Sequence, residues 1–113
     1  MTYDISEFAA GRFNVADAIP YAQGEVVVKP IMKTGQLNVS VLALDKDAKV
    51  PVHQVTANVM ALVLEGQVDF NVDGTPGILK KDQYVTMLPD TPHSLHALEP
   101  TKILLIRDYT AEK

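Results

Sequence analysis

Apolar and polar residues alternate over short stretches from residue 25 onward, and a period of two is typical of β-strands. The clearest example runs from Gln36 to Ala43, where every odd position is apolar, so we expect a strand with one buried face. Further strands are predicted at residues 84–88, 93–98 and 102–107, separated by turn-forming residues. About eight strands and no long helix result, which predicts an all-β sandwich or barrel over residues 25–113.

The first 24 residues show mixed periodicity, with a short helical turn predicted over residues 6–10 and ended by Gly11. We expect residues 1–24 to form a short irregular or helical segment that packs on the barrel.

Glu65 and Gly66 are predicted to form a two-residue hairpin loop between residues 58–64 and 67–72. That register gives three apolar cross-strand pairs on the face expected to line the barrel: Val63 with Val68, Ala61 with Phe70, and Val59 with Val72. The opposite face of the first strand is also apolar at Met60, Leu62 and Leu64, so we expect the N-terminal segment or a second subunit to cover it. A homodimer is therefore predicted.

Aspartate recurs at the predicted turns. Asp73-Gly74 is a pair favoured in type I′ hairpins, and Asp90 lies in a tight corner between Pro89 and Pro92. Asp82 is likewise interpreted as a turn residue.

Composition excludes several classes of function. The chain has 113 residues, a formal net charge of −4 and no Lys/Arg run, which argues against binding nucleic acid or an anionic membrane. It has no cysteine, so disulfides and thiolate chemistry are excluded. Neither a signal peptide nor a run of roughly 18 apolar residues is recognisable. We expect a cytoplasmic protein that binds a small molecule.

Two segments resemble the conserved motifs of the cupin family. Residues 47–66 are similar to G-x5-H-x-H-x3-4-E-x6-G, with His53 and Gly66 in place, and residues 82–97 are similar to G-x5-P-x-G-x2-H-x3-N, with His93 in place. The other motif positions differ: Asp47, Val55, Val59, Asp82, Leu88, Asp90 and Ala97 replace the listed residues. The resemblance is closest to small cupin type 2, RmlC-like proteins of bacterial type.

This resemblance implies a cupin-type double-stranded β-helix, also called a jelly-roll barrel. It also implies that His53 and His93 point into the barrel, where metal-binding cupins hold Fe, Mn, Ni or Zn. Two imidazoles leave most of a coordination sphere to water, so a divalent metal remains one alternative and hydrogen-bonded pocket histidines the other. His96 lies three residues after His93, and strand alternation places it on the opposite face.

Metal-free isomerases and epimerases of this fold pair a histidine with a tyrosine, which makes Tyr84 the phenol to consider beside His93. His53, His93 and Tyr84 are therefore the catalytic candidates. The predicted ligand pocket is lined by six apolar residues: Val55, Val59, Ala61, Val63, Val68 and Phe70.

Three interpretations remain open. The barrel binds a small organic ligand with His53 and His93 at its polar end, or it is an enzyme, or its interior is filled and idle. The enzyme would be a metal-dependent oxygenase or isomerase with an incomplete ligand set, or a metal-free sugar isomerase or epimerase using acid–base catalysis.

Overall fold

The computed structural model describes residues 10–111. In this part of the chain nine β-strands follow a short 3-10 turn at Val15–Asp17. Their bounds are β1 Val26–Lys33, β2 Leu37–Leu44, β3 Lys49–His53, β4 Asn58–Glu65, β5 Gln67–Val72, β6 Ile78–Lys80, β7 Tyr84–Met87, β8 His93–Ala97 and β9 Thr101–Asp108. A second 3-10 turn, Tyr109–Ala111, follows β9. None of the helices in residues 10–111 is long and apolar enough to span a bilayer.

The strands form two antiparallel sheets. One has five strands in the order β1-β2-β9-β4-β7, and the other has four in the order β3-β8-β5-β6. Residues of both sheets share one apolar core, which includes Leu44 and Ile103 from the first sheet and Val68 and Leu95 from the second. The expected all-β jelly-roll fold is confirmed.

The predicted hairpin at Glu65 and Gly66 is wrong. β4 pairs with β9 and β7, whereas β5 pairs with β8 and β6, so the chain crosses from one sheet to the other at Gly66. Gly66 has φ of 88°, and a Cβ atom there would overlap the carbonyl oxygen of Pro100 and lie 2.6 Å from Oγ1 of Thr101. The crossing is a close approach of two backbone segments that only glycine fits.

The inward face of β4 and β5 is nevertheless the predicted one. Each sheet contributes alternate apolar side chains to the interior, and these are buried: Val59, Ala61, Val63, Val68 and Phe70. They face one another across the two sheets instead of across a hairpin. The predicted pairs Val63–Val68, Ala61–Phe70 and Val59–Val72 therefore do not form.

The expectation of one buried face on β2 is also wrong, because every residue from Ser40 to Leu44 is buried. Leu42 and Leu44 face the barrel core, whereas Val41 and Ala43 belong to a second apolar cluster on the outer side of the sheet. Ile19 completes this outer cluster, with Val15 and Leu64 packed against it. Residues of the N-terminal segment thus cover part of the apolar outer face.

Polar contacts hold the segment in place. The hydroxyl of Tyr21 donates a hydrogen bond to Oε2 of Glu65 at 2.6 Å, and burial and then this bond raise the pKa of Tyr21. Nζ of Lys102 donates to the carbonyl oxygen of Ala16 at 2.6 Å and lies 4.9 Å from the Tyr21 ring centre. The helical turn predicted over residues 6–10 lies, except for Ala10, outside the described residues.

Four aspartates adopt the left-handed backbone conformation that L-residues rarely take. Asp73 and Gly74 have φ of 52° and 84°, as a type I′ turn requires, and Val72 bridges to Thr75 across that turn. Asp47, Asp82 and Asp90 have φ of 65°, 70° and 63°. These last three stand where the cupin motifs have glycine, so the turns keep their shape although the residue has changed.

Candidate functional site

A cavity of about 240 Å³ lies between the two sheets and opens to solvent. This volume is below the roughly 300 Å³ at which drug-sized pockets begin, so the cavity suits a small molecule. Of the 14 described residues that line it, eleven are apolar and the other three are His53, His93 and Arg107. The apolar residues are Val26, Val28, Leu42, Val50, Val55, Val59, Ala61, Phe70, Leu95, Ile103 and Leu105.

His53 and His93 lie directly opposite each other on β3 and β8. Val50 pairs with Leu95, so regular pairing would place Val52 opposite His93, but the register shifts between Val50 and His53. The shift inserts one extra residue in β3, as a β-bulge does, and turns His53 toward the cavity. The two imidazole centroids are 4.2 Å apart, with the rings tilted by 56°.

Both imidazoles are oriented by the same kind of contact. Nδ1 of His93 lies 2.9 Å from the carbonyl oxygen of Thr91, and Nδ1 of His53 lies 3.1 Å from that of Pro51. A carbonyl oxygen only accepts, so Nδ1 carries the proton in each ring, and Nε2 of the neutral imidazole is left as an acceptor. The pair therefore offers two acceptor nitrogens to a ligand.

His93 stays neutral to lower pH than an ordinary histidine. Burial lowers its pKa, and the nearby His53 and Arg107 lower the pKa further, opposed by the hydrogen bond to the Thr91 carbonyl. The ring of Phe70 stacks on His93 with centroids 6.0 Å apart and the planes 15° from parallel. His93 is thus a fixed, neutral group, whereas His53 is exposed at the cavity opening.

The corner before β8 is anchored to two neighbouring segments. The amide of Asp90 donates to the carbonyl of Val55 at 2.8 Å, and the amide of Asp73 donates to the carbonyl of Pro92 at 2.8 Å. Within the corner, Oγ1 of Thr91 donates to the carbonyl of Leu88 at 2.8 Å. These bonds fix the Thr91 carbonyl that orients His93.

Arg107 is a cavity residue that the sequence pattern did not single out. It follows Ile103 and Leu105 on the inward face of β9, and all three line the cavity. Its Nε atom is buried and has no hydrogen-bond partner within the described part of the chain. The alternation of β9, continued by two residues beyond Leu105, is the signal that would have placed Arg107 inside.

The structure separates the predicted pocket residues into two groups. Val55, Val59, Ala61 and Phe70 line the cavity, whereas Val63 and Val68 are buried in the core and do not line it.

The predicted proximity of Tyr84 to His93 is not found. Tyr84 pairs with Leu62 on the outer face of the five-stranded sheet and is 60% exposed. Strand alternation explains this, since Val85 rather than Tyr84 is the inward residue. His96 lies outside as expected, with Nε2 3.2 Å from Oδ1 of Asp47.

The lining residues do not fit a tightly held divalent metal ion. Stable zinc sites use three or four protein ligands, but the described residues that line this cavity present two imidazoles, no carboxylate and a positively charged guanidinium. Within residues 10–111 no group of three or more His, Cys, Asp or Glu side chains is arranged to hold a metal. We therefore assign no chemistry to a metal at this site.

Comparison with protein-family models and with curated protein sequences gives no match. Solved structures do match. A cupin superfamily protein from Desulfitobacterium hafniense is similar with a TM-score of 0.84 and 14% identity, over 90% of this chain and 94% of that one. A conserved protein of unknown function from Streptococcus pyogenes has a TM-score of 0.82 and 21% identity, over 88% of each chain.

A cupin 2 conserved barrel domain protein from Leptotrichia buccalis has a TM-score of 0.81 and 28% identity, over 85% of this chain and 47% of that one. These similarities agree with the two-sheet architecture. The chain has the fold of small cupin-domain proteins.

Proposed function

We propose that the barrel binds a small, largely apolar organic molecule whose polar end forms hydrogen bonds with His53 and His93. The observation that carries the proposal is the shared orientation of the two rings. Each donates Nδ1–H to the carbonyl two residues earlier, so both Nε2 atoms are free to accept from a ligand hydroxyl or amide. Convergent polar groups in an apolar cavity are the usual form of a small-molecule site.

The remaining lining residues support a mostly apolar ligand body. Val59 and Ala61 form the wall on the five-stranded sheet, and Phe70 and Leu95 form the wall on the four-stranded sheet. Burying apolar ligand surface against these walls contributes roughly 25 cal/mol of favourable binding free energy per Å². The histidines then select the orientation of the ligand, since a buried hydroxyl without a partner is costly.

Isothermal titration calorimetry with six probes tests the proposal. Mandelate, mandelamide and phenylacetate share an aromatic body, and α-hydroxyisocaproate, its amide and isocaproate share a branched aliphatic one. In each set the second probe removes the charge and the third removes the hydroxyl. We expect at least one hydroxylated probe to bind the unmodified protein. The same probe should bind roughly tenfold more weakly to His53→Ala and to His93→Gln, because a tenfold loss of affinity corresponds to the binding free energy of about one hydrogen bond.

His96→Ala is the matched control, because His96 lies on the outer face of β8 and pairs with Asp47. It should leave binding unchanged. His93→Gln keeps a side chain of similar length in a buried position, and circular dichroism checks that each variant is folded. The proposal is overturned if none of the six probes binds, or if the His53 and His93 variants bind them as the unmodified protein does.

A further inference from the structure

Arg107 carries a positive charge that no group in residues 10–111 neutralises. No hydrogen bond or ion pair to its guanidinium is found there, and its Nε atom is buried without an acceptor. Burying part of a guanidinium without a partner costs free energy. Such a residue is retained at a cost to stability unless something else pairs with it.

The carboxylate nearest in sequence does not serve this purpose. Asp108 follows Arg107 on β9, so its side chain projects from the opposite face of the sheet. There Oδ1 accepts a hydrogen bond from the amide of Thr110 at 2.9 Å, and its contacts with Thr110 and Asn58 lower the pKa of Asp108. Among residues 10–111 no acidic residue lines the cavity, so Arg107 is the one formal charge that this part of the chain places there when His53 and His93 are neutral.

We propose that the ligand of this cavity is a small organic acid whose carboxylate pairs with Arg107. This inference rests on the proposed function and specifies its ligand class. A guanidinium presents parallel N–H donors that match the two oxygens of a carboxylate, and the pairing is strengthened where water is excluded. One cation in an apolar cavity of about 240 Å³ suits a monocarboxylate better than a doubly charged phosphate.

The three polar residues then divide the recognition between them. Arg107 binds the charged end, and the Nε2 atoms of the two imidazoles accept from a hydroxyl elsewhere in the ligand. Arg107 and His93 line the same cavity of about 240 Å³, so both groups of the ligand belong to one small molecule. A short hydroxy acid with an apolar body has this combination.

The test uses the same six probes with two further variants. Arg107→Met removes the charge and keeps an unbranched side chain, and Arg107→Lys restores a charge without the fork of N–H groups. The unmodified protein should bind mandelate at least tenfold more tightly than mandelamide, and α-hydroxyisocaproate likewise over its amide. In Arg107→Met this preference should disappear through weaker binding of the acid, with the amide unchanged, and Arg107→Lys should be intermediate.

The outcomes separate the two proposals. If the amides bind as well as the acids and depend on His53 and His93, the organic-acid inference is overturned and the proposed function stands. Retention of the full preference in Arg107→Met also overturns the inference. If no probe of either kind binds, both proposals fall. As an independent readout, mandelate should shift the imidazole ¹H and ¹⁵N resonances of His53 and His93 but not those of His96, and shifts confined to His96 would contradict both.

Discussion

Gly66 is the residue at which the chain passes from one sheet to the other, and its replacement by alanine should be strongly destabilising. Holding alanine at a left-handed φ costs roughly 1–2 kcal/mol. Forcing its Cβ against the Pro100 carbonyl and Thr101 costs roughly 1–3 kcal/mol more, as overpacking does. Alanine also has less conformational entropy than glycine in the unfolded chain, and this offsets roughly 0.4–1 kcal/mol of the destabilisation. The free energy of unfolding should therefore fall by about 3 kcal/mol.

Gly74→Ala and Gly24→Ala are matched controls. Both glycines also have left-handed φ, 84° and 70°, but a Cβ atom at either would meet nothing within 4 Å. They report the conformational cost alone, and each should lower stability by about 1 kcal/mol. The difference between Gly66→Ala and these controls isolates the close approach of the two backbones.

Urea unfolding followed by far-ultraviolet circular dichroism measures these changes, provided the m-value stays constant across the variants. At about 4 °C per kcal/mol for a domain of this size, Gly66→Ala should lower Tm by about 12 °C. If Gly66→Ala were no less stable than Gly74→Ala, within about 0.5 kcal/mol, the crossing at Gly66 would not be as tight as described and the reasoning would be refuted.

Two further predictions concern His93 and Lys102. Because the pKa of His93 is lowered, the unfolded chain takes up a proton first as pH falls below about 6.5, so stability should decrease there. His93→Gln should reduce that decrease between about pH 7.5 and 5.5, and an equal decrease in both proteins would contradict this. Lys102→Met removes a charged hydrogen bond to Ala16, costing about 2 kcal/mol, and should speed amide exchange in residues 15–19. Unchanged exchange would argue against this anchor.

The local elements of the fold could be predicted from the sequence. Alternation and turn residues predicted the strands at β7, β8 and β9, and the Asp73-Gly74 turn follows from residue preference alone. The sheet that each strand joins was not predictable in this way. Glu65-Gly66 satisfies the requirements of a tight hairpin. However, β9, which begins 35 residues after Gly66, pairs with β4 and takes the place expected for β5.

The site was predictable to a similar extent. Motif spacing selected His53 and His93, and both line the cavity. The β-bulge that turns His53 inward has one local sign, Pro51, because proline in a strand favours edges and bulges. Arg107 was missed because a charged residue at a strand end is usually solvent-exposed, and only the long-range pairing of β9 reveals what lies opposite it. The homodimer and the cytoplasmic location stay predictions.

The left-handed aspartates have a consequence for how copies of this protein behave toward one another. In residues 10–111 every non-glycine residue with positive φ is an aspartate: Asp47, Asp73, Asp82 and Asp90. Glycine would adopt the same backbone at lower conformational cost but would carry no charge. With glycine at all four positions, the loss of four negative charges would bring the formal net charge from −4 to zero. Proteins near zero net charge associate and precipitate more readily, so the turns that shape the barrel also supply the net repulsion between its copies.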